Sequence, residues 1–269
     1  MKSYTNTIMG GDYLKWKKIR DALSGGPSAI GVHCANVESQ FYEMCGILGY
    51  DYVWIDGEHS SISNSVISNA IIATNAGGCA AFVRARSNDP VIIKPILEMG
   101  PDGIIIPMIN SAQEAEKAVA ACRYPPRGVR GFGPLRANRY GEIPIETYVN
   151  ETSDEILKII QIEHKQGVNN LDEILEVDGI DVVICGPMDL SASVGKLGQL
   201  KDPEVVELMK QILRKCKNAG KPCGISIDNI DLAKFWIENG ASFVSVGNPY
   251  NYFSTYSKII LPQLRETAK

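Results

Sequence analysis

Several features are missing from this chain, and each absence narrows the range of functions. No run of 18 apolar residues is present, which predicts that no segment spans a membrane. The polar N-terminus, residues 1–12, lacks the apolar core of a secretory signal. The net charge of −4 does not favour binding to nucleic acid or to an anionic membrane. We therefore expect a cytoplasmic globular protein that binds small molecules.

Sequence patterns typical of several kinds of reactive site are missing as well. None of the seven cysteines belongs to a C-x-x-C pair, which is typical of buried free thiols rather than of disulfides or a zinc site. No G-x-S-x-G motif marks a serine nucleophile. No lysine lies at an inner strand position or strand exit, although Lys165 follows one strand tip closely. Because a Schiff base needs a desolvated lysine, lysine-dependent aldolase chemistry is disfavoured.

The chain does contain eight short apolar segments that alternate with helical patterns. The predicted strands cover residues 29–34, 52–55, 79–86, 103–108, 158–164, 181–185, 222–227 and 243–247. Such alternation implies a parallel sheet, and eight units imply closure into a (β/α)8 TIM barrel. An open doubly wound sheet would need a Gly-rich phosphate turn after the first strand, and residues 31–35 do not supply one. We expect one domain over residues 1–269, with a helix at 13–23 covering the barrel bottom and a last helix at 250–266.

One stretch, residues 52–59, points to the position of a functional site. A buried strand is followed directly by Asp56, Glu58 and His59. Ionisable groups left unpaired at such a tip would each cost several kcal/mol, so a site explains them better than packing does. In TIM barrels the active site lies at the C-terminal strand ends. The other predicted strand exits carry ionisable or amide groups as well: His33, Arg84, Arg86, Gln161, Glu163, His164 and Asp189.

Two of these carboxylates suggest a metal site. Glu163 and Asp189 end neighbouring predicted strands, so they could share one hard divalent cation and leave room for water and a chelating substrate. The alternative is that Glu163 pairs with Arg84, which lies only two strands away. Residues 124–140 raise a second open question. This Pro- and Gly-rich stretch with four arginines predicts either a functional loop or a solvated basic surface loop.

Taken together, six motifs in this order resemble those of the HpcH/HpaI aldolase family, the metal-dependent class II pyruvate aldolases related to the citrate lyase β-subunit. The resemblance runs from about residue 31 to residue 247. The matching segments are residues 54–59 (WIDGEH), 83–84 with 88–90 (VR and NDP), 106–112 (IPMINSA), 123–131 (RYPPRGVRG), 161–163 (QIE) and 186–191 (GPMDLS).

The resemblance implies a function and a set of site residues. The expected reaction is reversible cleavage of a 4-hydroxy-2-oxo acid to pyruvate and an aldehyde through a metal-stabilised enolate. The implied cofactor is a divalent cation, Mg2+ or Mn2+, with Co2+ or Zn2+ as further options. The resemblance implies that Glu163 and Asp189 bind the metal, with Gln161 beside it. It implies that Arg84 contacts the keto oxygen, that His59 transfers a proton and that Asp56 supports the His59 loop. The backbone of Gly186, Pro187, Met188 and Asp189 would bind the substrate carboxylate.

The resemblance also implies a homo-oligomer, a hexamer built as a dimer of trimers, in which the last helix is swapped between subunits. Two positions depart from the family pattern. His33 replaces the usual aromatic residue of the first strand, and Glu98 replaces the aspartate that partners the catalytic histidine. These changes favour a substrate other than the dicarboxylic ones, or an alternative reaction, decarboxylation of an oxaloacetate-type β-keto acid. A non-catalytic barrel that binds a keto acid is disfavoured, because binding alone needs no proton-transfer group.

Overall fold

The computed structural model describes residues 13–36 and 38–268, with side chains from Lys17 onwards. Eight parallel strands pair in chain order, and the last closes on the first. The predicted (β/α)8 barrel is therefore confirmed. The polar segment 1–12, where we expect no secretory signal, lies outside the described residues. The strands are β1 Ala29–Cys34, β2 Tyr52–Asp56, β3 Ala80–Arg84, β4 Gly103–Ile106, β5 Leu157–Ile162, β6 Val182–Cys185, β7 Cys223–Ile227 and β8 Phe243–Val246.

Helices follow the strands around the outside of the barrel, and one precedes them. The helices are α1 Tyr13–Leu23, α2 Ser39–Ile47, α3 Asn64–Ala76, α4 Pro90–Glu98, α5 Ala112–Cys122, α6 Ile145–Asn150, α7 Lys165–Asn169, α8 Leu171–Glu176, α9 Pro187–Ala192, α10 Pro203–Asn218, α11 Ile230–Glu238 and α12 Pro249–Thr267. Among the described residues, no helix is both long enough and apolar enough to cross a membrane. All seven cysteines are buried free thiols, as predicted.

The barrel has two hydrophobic layers because alternate strand residues point to opposite faces. The interior layer includes Tyr52, Phe82 and Phe243, and the Tyr52 and Phe82 rings stack with centroids 4.9 Å apart. Ile19 and Ala22 of α1 are fully buried in this interior layer, so α1 contributes to the barrel interior, as the predicted covering helix would. The larger outer layer packs the other strand faces against the surrounding helices.

Helix starts agree with their sequence signals, with one difference in detail. Asp89 caps α4 by accepting a hydrogen bond from the Val91 N–H, and Ser111 caps α5 through the Glu114 N–H. The Glu114 carboxylate accepts from the Asn110 N–H, one residue before the expected position of a capping box. The sequence pattern predicts one helix over residues 168–175, but the structure has two short helices there, α7 and α8. Helix α9, which the pattern does not predict, begins directly after β6.

The arginine-rich loop at 124–140 is not a solvated basic surface. The Arg130 side chain is fully buried against Glu98 and the Tyr148 hydroxyl. Arg136 donates to the carbonyls of Met99 and Gly100, which closes the end of α4. At least two of the four arginines therefore hold the loop onto the barrel, and the surface-loop hypothesis is wrong for them.

Candidate active site

A buried ion pair forms the centre of the site. Asp56 ends β2 and lies in register with Arg84, which ends β3. The Arg84 Nε is 2.9 Å from Asp56 Oδ1, and Nη2 is 2.8 Å from Oδ2, which is a bidentate contact. Burial alone would raise the pKa of Asp56, but hydrogen bonds from His33 and Arg84 outweigh it and hold that pKa well below its usual range. Asp56 is therefore ionised at neutral pH.

Asp56 also shapes the loop that carries His59. Its Oδ1 accepts hydrogen bonds from the backbone N–H of Glu58, at 3.0 Å, and of His59, at 3.3 Å. Arg86 supports the same loop from outside by donating to the carbonyls of Gly57 and Ile62. These contacts are the ones that a bracing role for Asp56 requires. The His59 side chain itself is 64 % exposed, and its Nε2 lies 3.7 Å from Glu58 Oε2.

Arg84 is fixed on every nitrogen of its guanidinium. Its remaining nitrogen, Nη1, is 3.0 Å from Glu58 Oε2, and its central carbon lies 5.2 Å from the centre of the Trp54 ring. The charged group is therefore held in one plane by Asp56, Glu58 and Trp54. The alternative in which Arg84 pairs with Glu163 is wrong, since both partners bind other groups.

Glu163 follows β5 and is buried without an arginine partner. Its Oε1 accepts a hydrogen bond from the Met108 N–H at 2.8 Å, and its Oε2 accepts from the Gln161 side-chain amide. Burial raises the pKa of Glu163 to about 7; the Met108 N–H opposes the shift, and the charges of Glu58 and Asp189 add to it. Met108 adopts a left-handed backbone conformation, with φ of 56°, at this contact. Glu163 is thus a buried carboxylate close to other carboxylates.

The turn from β6 into α9 brings the backbone close to Glu163. A Cβ atom on Gly186 would lie 2.7 Å from both Glu163 Oε2 and Gln161 Nε2, so only glycine fits there. Asp189 lies in the first turn of α9 and is exposed. The sequence showed Asp189 as a strand exit, but the structure places it on a helix that starts beside Glu163.

The donor set fits a hard divalent cation, although it is small. Among the described residues, no group of three or more His, Cys, Asp or Glu side chains is arranged to hold a metal. Glu163 and Asp189 nevertheless supply carboxylate oxygens that interact electrostatically. Gln161 contributes a buried side-chain oxygen that has no hydrogen-bond partner. A cation that binds oxygen ligands would relieve both the repulsion and the unpaired oxygen, and its other positions would stay open to substrate.

A cavity of about 310 Å3 opens beside these groups. The predicted residues His59, Arg84, Gln161 and Asp189 line it, and Asp56 and Glu163 contact its wall from behind. The full lining consists of His33, Trp54, His59, Arg84, Gln161, Gly186, Pro187, Met188, Asp189, Leu200, Ser226, Ile227, Asp228 and Asn248. Most of the predicted site residues therefore meet in one place.

Five lining residues were missed at the level of sequence. Ser226 and Ile227 end β7, Asp228 follows that strand, Asn248 follows β8 closely, and Leu200 precedes α10. The strand-exit rule that found Asp56 and Arg84 also applies to Asp228 and Asn248. Asp228 and Asn248 belong to none of the motifs, and each is an isolated polar residue in its segment, so the sequence analysis did not single them out.

Three residues that the sequence analysis considered for the site, Glu98, His164 and Lys165, have other contacts. Within the described chain, Glu98 binds Arg130, with 3.3 Å between Oε1 and Nη2, rather than His59. The reason is that the fully buried Arg130 guanidinium needs a counter-charge. His164 caps α7 by accepting a hydrogen bond from the Gln166 N–H. Lys165 pairs with Glu204, and it is not among the residues that line the cavity.

Known proteins of one family are similar to most of this chain. The family described as HpcH/HpaI aldolase/citrate lyase matches residues 30–254. A 4-hydroxy-2-oxo-heptane-1,7-dioate aldolase of Salmonella dublin is 40% identical over 230 residues, covering 85% of this chain and 87% of that protein. A 5-keto-4-deoxy-D-glucarate aldolase of Citrobacter koseri is 37% identical over 237 residues, covering 88% and 91%.

A solved structure gives the same result at the level of the fold. The HpcH/HpaI aldolase/citrate lyase family protein from Burkholderia cenocepacia J2315 superposes with a TM-score of 0.87 at 26% identity, covering 93% of this chain and 99% of that one. The resemblance noted in the motifs is therefore confirmed, and the chain belongs to the HpcH/HpaI aldolase/citrate lyase family.

Proposed function

We propose that the protein is a divalent-metal-dependent class II pyruvate aldolase that reversibly cleaves a 4-hydroxy-2-oxo acid to pyruvate and an aldehyde. The observation that supports this most directly is that Arg84 and Gln161 lie in the same cavity wall. Asp56 and Glu58 hold the Arg84 guanidinium in place, and the Gln161 amide contacts the buried carboxylate of Glu163. A fixed positive charge next to a pair of hard-metal ligands suits the build-up of negative charge on a 2-oxo acid.

Glu163 and Asp189 would hold the cation, with Gln161 beside it. When bound, the cation supplies Lewis-acid polarisation of the substrate keto group. Mg2+ or Mn2+ suits carboxylate oxygens best, and Co2+ or Zn2+ are further candidates to test.

The other residues act on the substrate directly. Arg84 faces the keto oxygen and stabilises the negative charge that develops there, while the backbone at Gly186 to Asp189 binds the carboxylate. His59 accepts the proton of the 4-hydroxyl group. The C3–C4 bond then breaks, its electron pair passes into the enolate of pyruvate, and the aldehyde leaves. Protonation at C3 completes the reaction, and the same steps in reverse form the bond.

The test is turnover with a metal and a panel of aldehydes. Purified protein with Mg2+ or Mn2+, pyruvate and an aldehyde should form the 4-hydroxy-2-oxo acid, and EDTA should abolish the reaction. Glu163→Ala and Asp189→Ala should each reduce turnover by about 100-fold or more, since each removes a ligand. Full activity in EDTA would contradict the proposal. Absence of any adduct, together with release of carbon dioxide from oxaloacetate, would favour the decarboxylase instead.

Arg84→Lys provides a second test of the same mechanism. A lysine keeps the charge but cannot reproduce the planar contacts to Asp56 and Glu58, so we expect about a 100-fold loss of kcat. The matched control is Arg123→Lys, because neither Arg123 nor its partner, the exposed carboxylate Asp178, is among the residues that line the cavity. Equal activity of Arg84→Lys and the control would rule out a role for the guanidinium at the keto oxygen.

We further infer a homo-oligomer in which α12 packs on a neighbouring copy, consistent with a hexamer built as a dimer of trimers. None of the 19 residues of α12 is buried, although the helix carries several large apolar side chains. Among the described residues, the side-chain hydrogen bonds that join α12 to the barrel lie at its start, where Tyr252 donates to the Val246 carbonyl and Asn251 binds Asp228. The set of buried free thiols supports a reducing, cytoplasmic location.

A further inference from the structure

The cavity has a side that the oxo-acid chemistry leaves unused. The groups assigned to pyruvate come from β2, β3, β5 and the β6–α9 turn. The ends of β1, β7 and β8 contribute His33, Ser226, Asp228 and Asn248 to the remaining wall. Since the aldehyde must meet the enolate inside the same cavity, this wall is where its substituents lie. The inference below rests on the aldolase function proposed above.

From this wall we propose that the aldehyde is uncharged and hydroxylated, not one that carries a carboxylate. The wall offers hydrogen-bond acceptors and a negative charge, but no cation that is free to pair with an anion.

The charge of the wall disfavours an anionic aldehyde. Among the described residues that line the cavity, Arg84 is the one lysine or arginine, and the mechanism proposed above assigns it to the keto oxygen of the oxo acid. Asp228 adds a carboxylate, and its partner Asn251, at 2.8 Å, is a neutral amide that does not cancel the charge. A second carboxylate brought into this space by the substrate would meet repulsion without compensation.

The hydrogen-bonding groups of the wall favour hydroxyl substituents. His33 Nε2 lies 3.0 Å from Asp56 Oδ2, which is the distance of a hydrogen bond donated to an ionised carboxylate. The other ring nitrogen, Nδ1, is a second polar atom of His33 that can form a hydrogen bond with a hydroxyl group. Asp228 and the side-chain oxygens of Ser226 and Asn248 are acceptors. Hydroxyl groups can donate to all of them, whereas an alkyl chain would leave these groups without their hydrogen bonds to water.

An uncharged aldehyde substrate would distinguish this chain from relatives that it otherwise resembles. The two relatives described above are named for a heptane-1,7-dioate and a glucarate, which are both dicarboxylic acids. The wall described here contains no free cation to bind a second carboxylate. The same barrel, metal ligands and Arg84 would then serve a different class of aldehyde.

The experiment compares matched aldehydes in the aldol direction, with pyruvate and Mg2+ or Mn2+. Glyceraldehyde and propionaldehyde share three carbons and differ in hydroxyls, and succinic semialdehyde and butyraldehyde share four carbons and differ in charge. We expect kcat/KM to be about tenfold higher for glyceraldehyde than for propionaldehyde, and about tenfold lower for succinic semialdehyde than for butyraldehyde. Equal values within both pairs, or a preference for succinic semialdehyde, would overturn the proposal.

Variants assign the two preferences to particular residues. Asp228→Asn should raise the ratio of kcat/KM for succinic semialdehyde to that for butyraldehyde about threefold or more at low salt. The control Asp231→Asn, an exposed carboxylate three residues further on, should not change that ratio. His33→Phe should lower the ratio of glyceraldehyde to propionaldehyde about fivefold. Ratios within one variant cancel any general loss of activity, and unchanged ratios in both variants would contradict the assignment.

Exchange of the C3 protons of pyruvate in D2O distinguishes failure of this proposal from failure of the aldolase function. Exchange without addition of any aldehyde in the panel would leave the enolate site standing and overturn the proposal for the wall. Loss of both exchange and addition, in protein loaded with metal, would overturn the aldolase function and this inference together.

Discussion

At the scale of single residues, the site depends on a carboxylate that must be charged. Asp56 binds His33, Arg84 and two backbone N–H groups at once, so its side chain links three strand ends. Such a group stabilises the fold and the site together, because loss of its charge leaves the buried Arg84 without a full counter-ion.

Replacing Asp56 should therefore weaken the fold in a way that depends on pH. We expect Asp56→Asn to lower the free energy of unfolding by about 3 kcal/mol at pH 7. Since the pKa of Asp56 is depressed in the folded state, its contribution is present above the unfolded value, near 4, and is lost as pH falls below it. The loss caused by the substitution should thus be smaller at pH 3 than at pH 7, as measured by urea unfolding.

The control for this substitution is Asp178→Asn, which removes a highly exposed carboxylate paired with Arg123. Because the Asp178 carboxylate itself lies in solvent, the control should change stability by less than about 1 kcal/mol. A loss for Asp56→Asn that is the same at both pH values would show that the charge of Asp56 is not what stabilises the fold.

At the scale of elements, the turn from β6 into α9 packs closely against Glu163 and Gln161. It brings Asp189 onto a helix next to Glu163, and it does so by placing a backbone without a side chain against the Glu163 carboxylate and the Gln161 amide. A proline follows at the first position of α9, where its missing N–H is not needed. Element geometry, more than any one side chain, sets the spacing of the two proposed ligands.

Adding a methyl group at Gly186 should weaken metal binding and turnover while the barrel still folds. In Gly186→Ala the new Cβ must push the Glu163 carboxylate aside, so we expect about a 100-fold loss of turnover and a smaller rise in melting temperature on addition of Mn2+. Gly133→Ala is the matched control, because a Cβ there would meet a single atom at 4.0 Å. If Gly186→Ala bound Mn2+ as the parent protein does, the turn would not control the ligands.

At the scale of the whole molecule, the barrel is complete but α12 is not covered. Phe253, Tyr256 and Leu264 are each more than half exposed on this helix. Burying such side chains is favourable at roughly 25 cal/mol per Å2 of apolar surface, which gives a second copy of the chain a reason to bind there.

We predict that the proposed oligomer depends on this helix. Phe253→Asp should shift the protein towards monomers in sedimentation velocity, because a charge would have to be buried in the contact. Thr255→Asp introduces the same charge two residues further along, at an exposed polar position, and should leave the oligomer intact. A parent protein that sediments as a monomer would contradict both the assembly and the role of α12.

The pattern of residues along the chain was enough to predict the barrel and the edge on which the site lies. Eight apolar segments alternating with helices leave few ways to close a parallel sheet, and the residues that follow such strands meet at one edge whatever their partners are. This is why Asp56, Arg84, Gln161 and Asp189 could be placed near one another from strand ends alone. The order of the motifs then identified the family.

The pairing of the charged groups, in contrast, depends on the folded chain. Arg84 forms ion pairs with Asp56 and Glu58, and Arg130 forms one with Glu98. Glu163 accepts hydrogen bonds from neutral donors instead. Burial and distance in three dimensions determine these choices, because a buried guanidinium binds the nearest carboxylates regardless of their separation along the chain. Strand periodicity carries no information about such distances. For the same reason, the cavity wall that includes His33 and Asp228 could be recognised only in the folded chain.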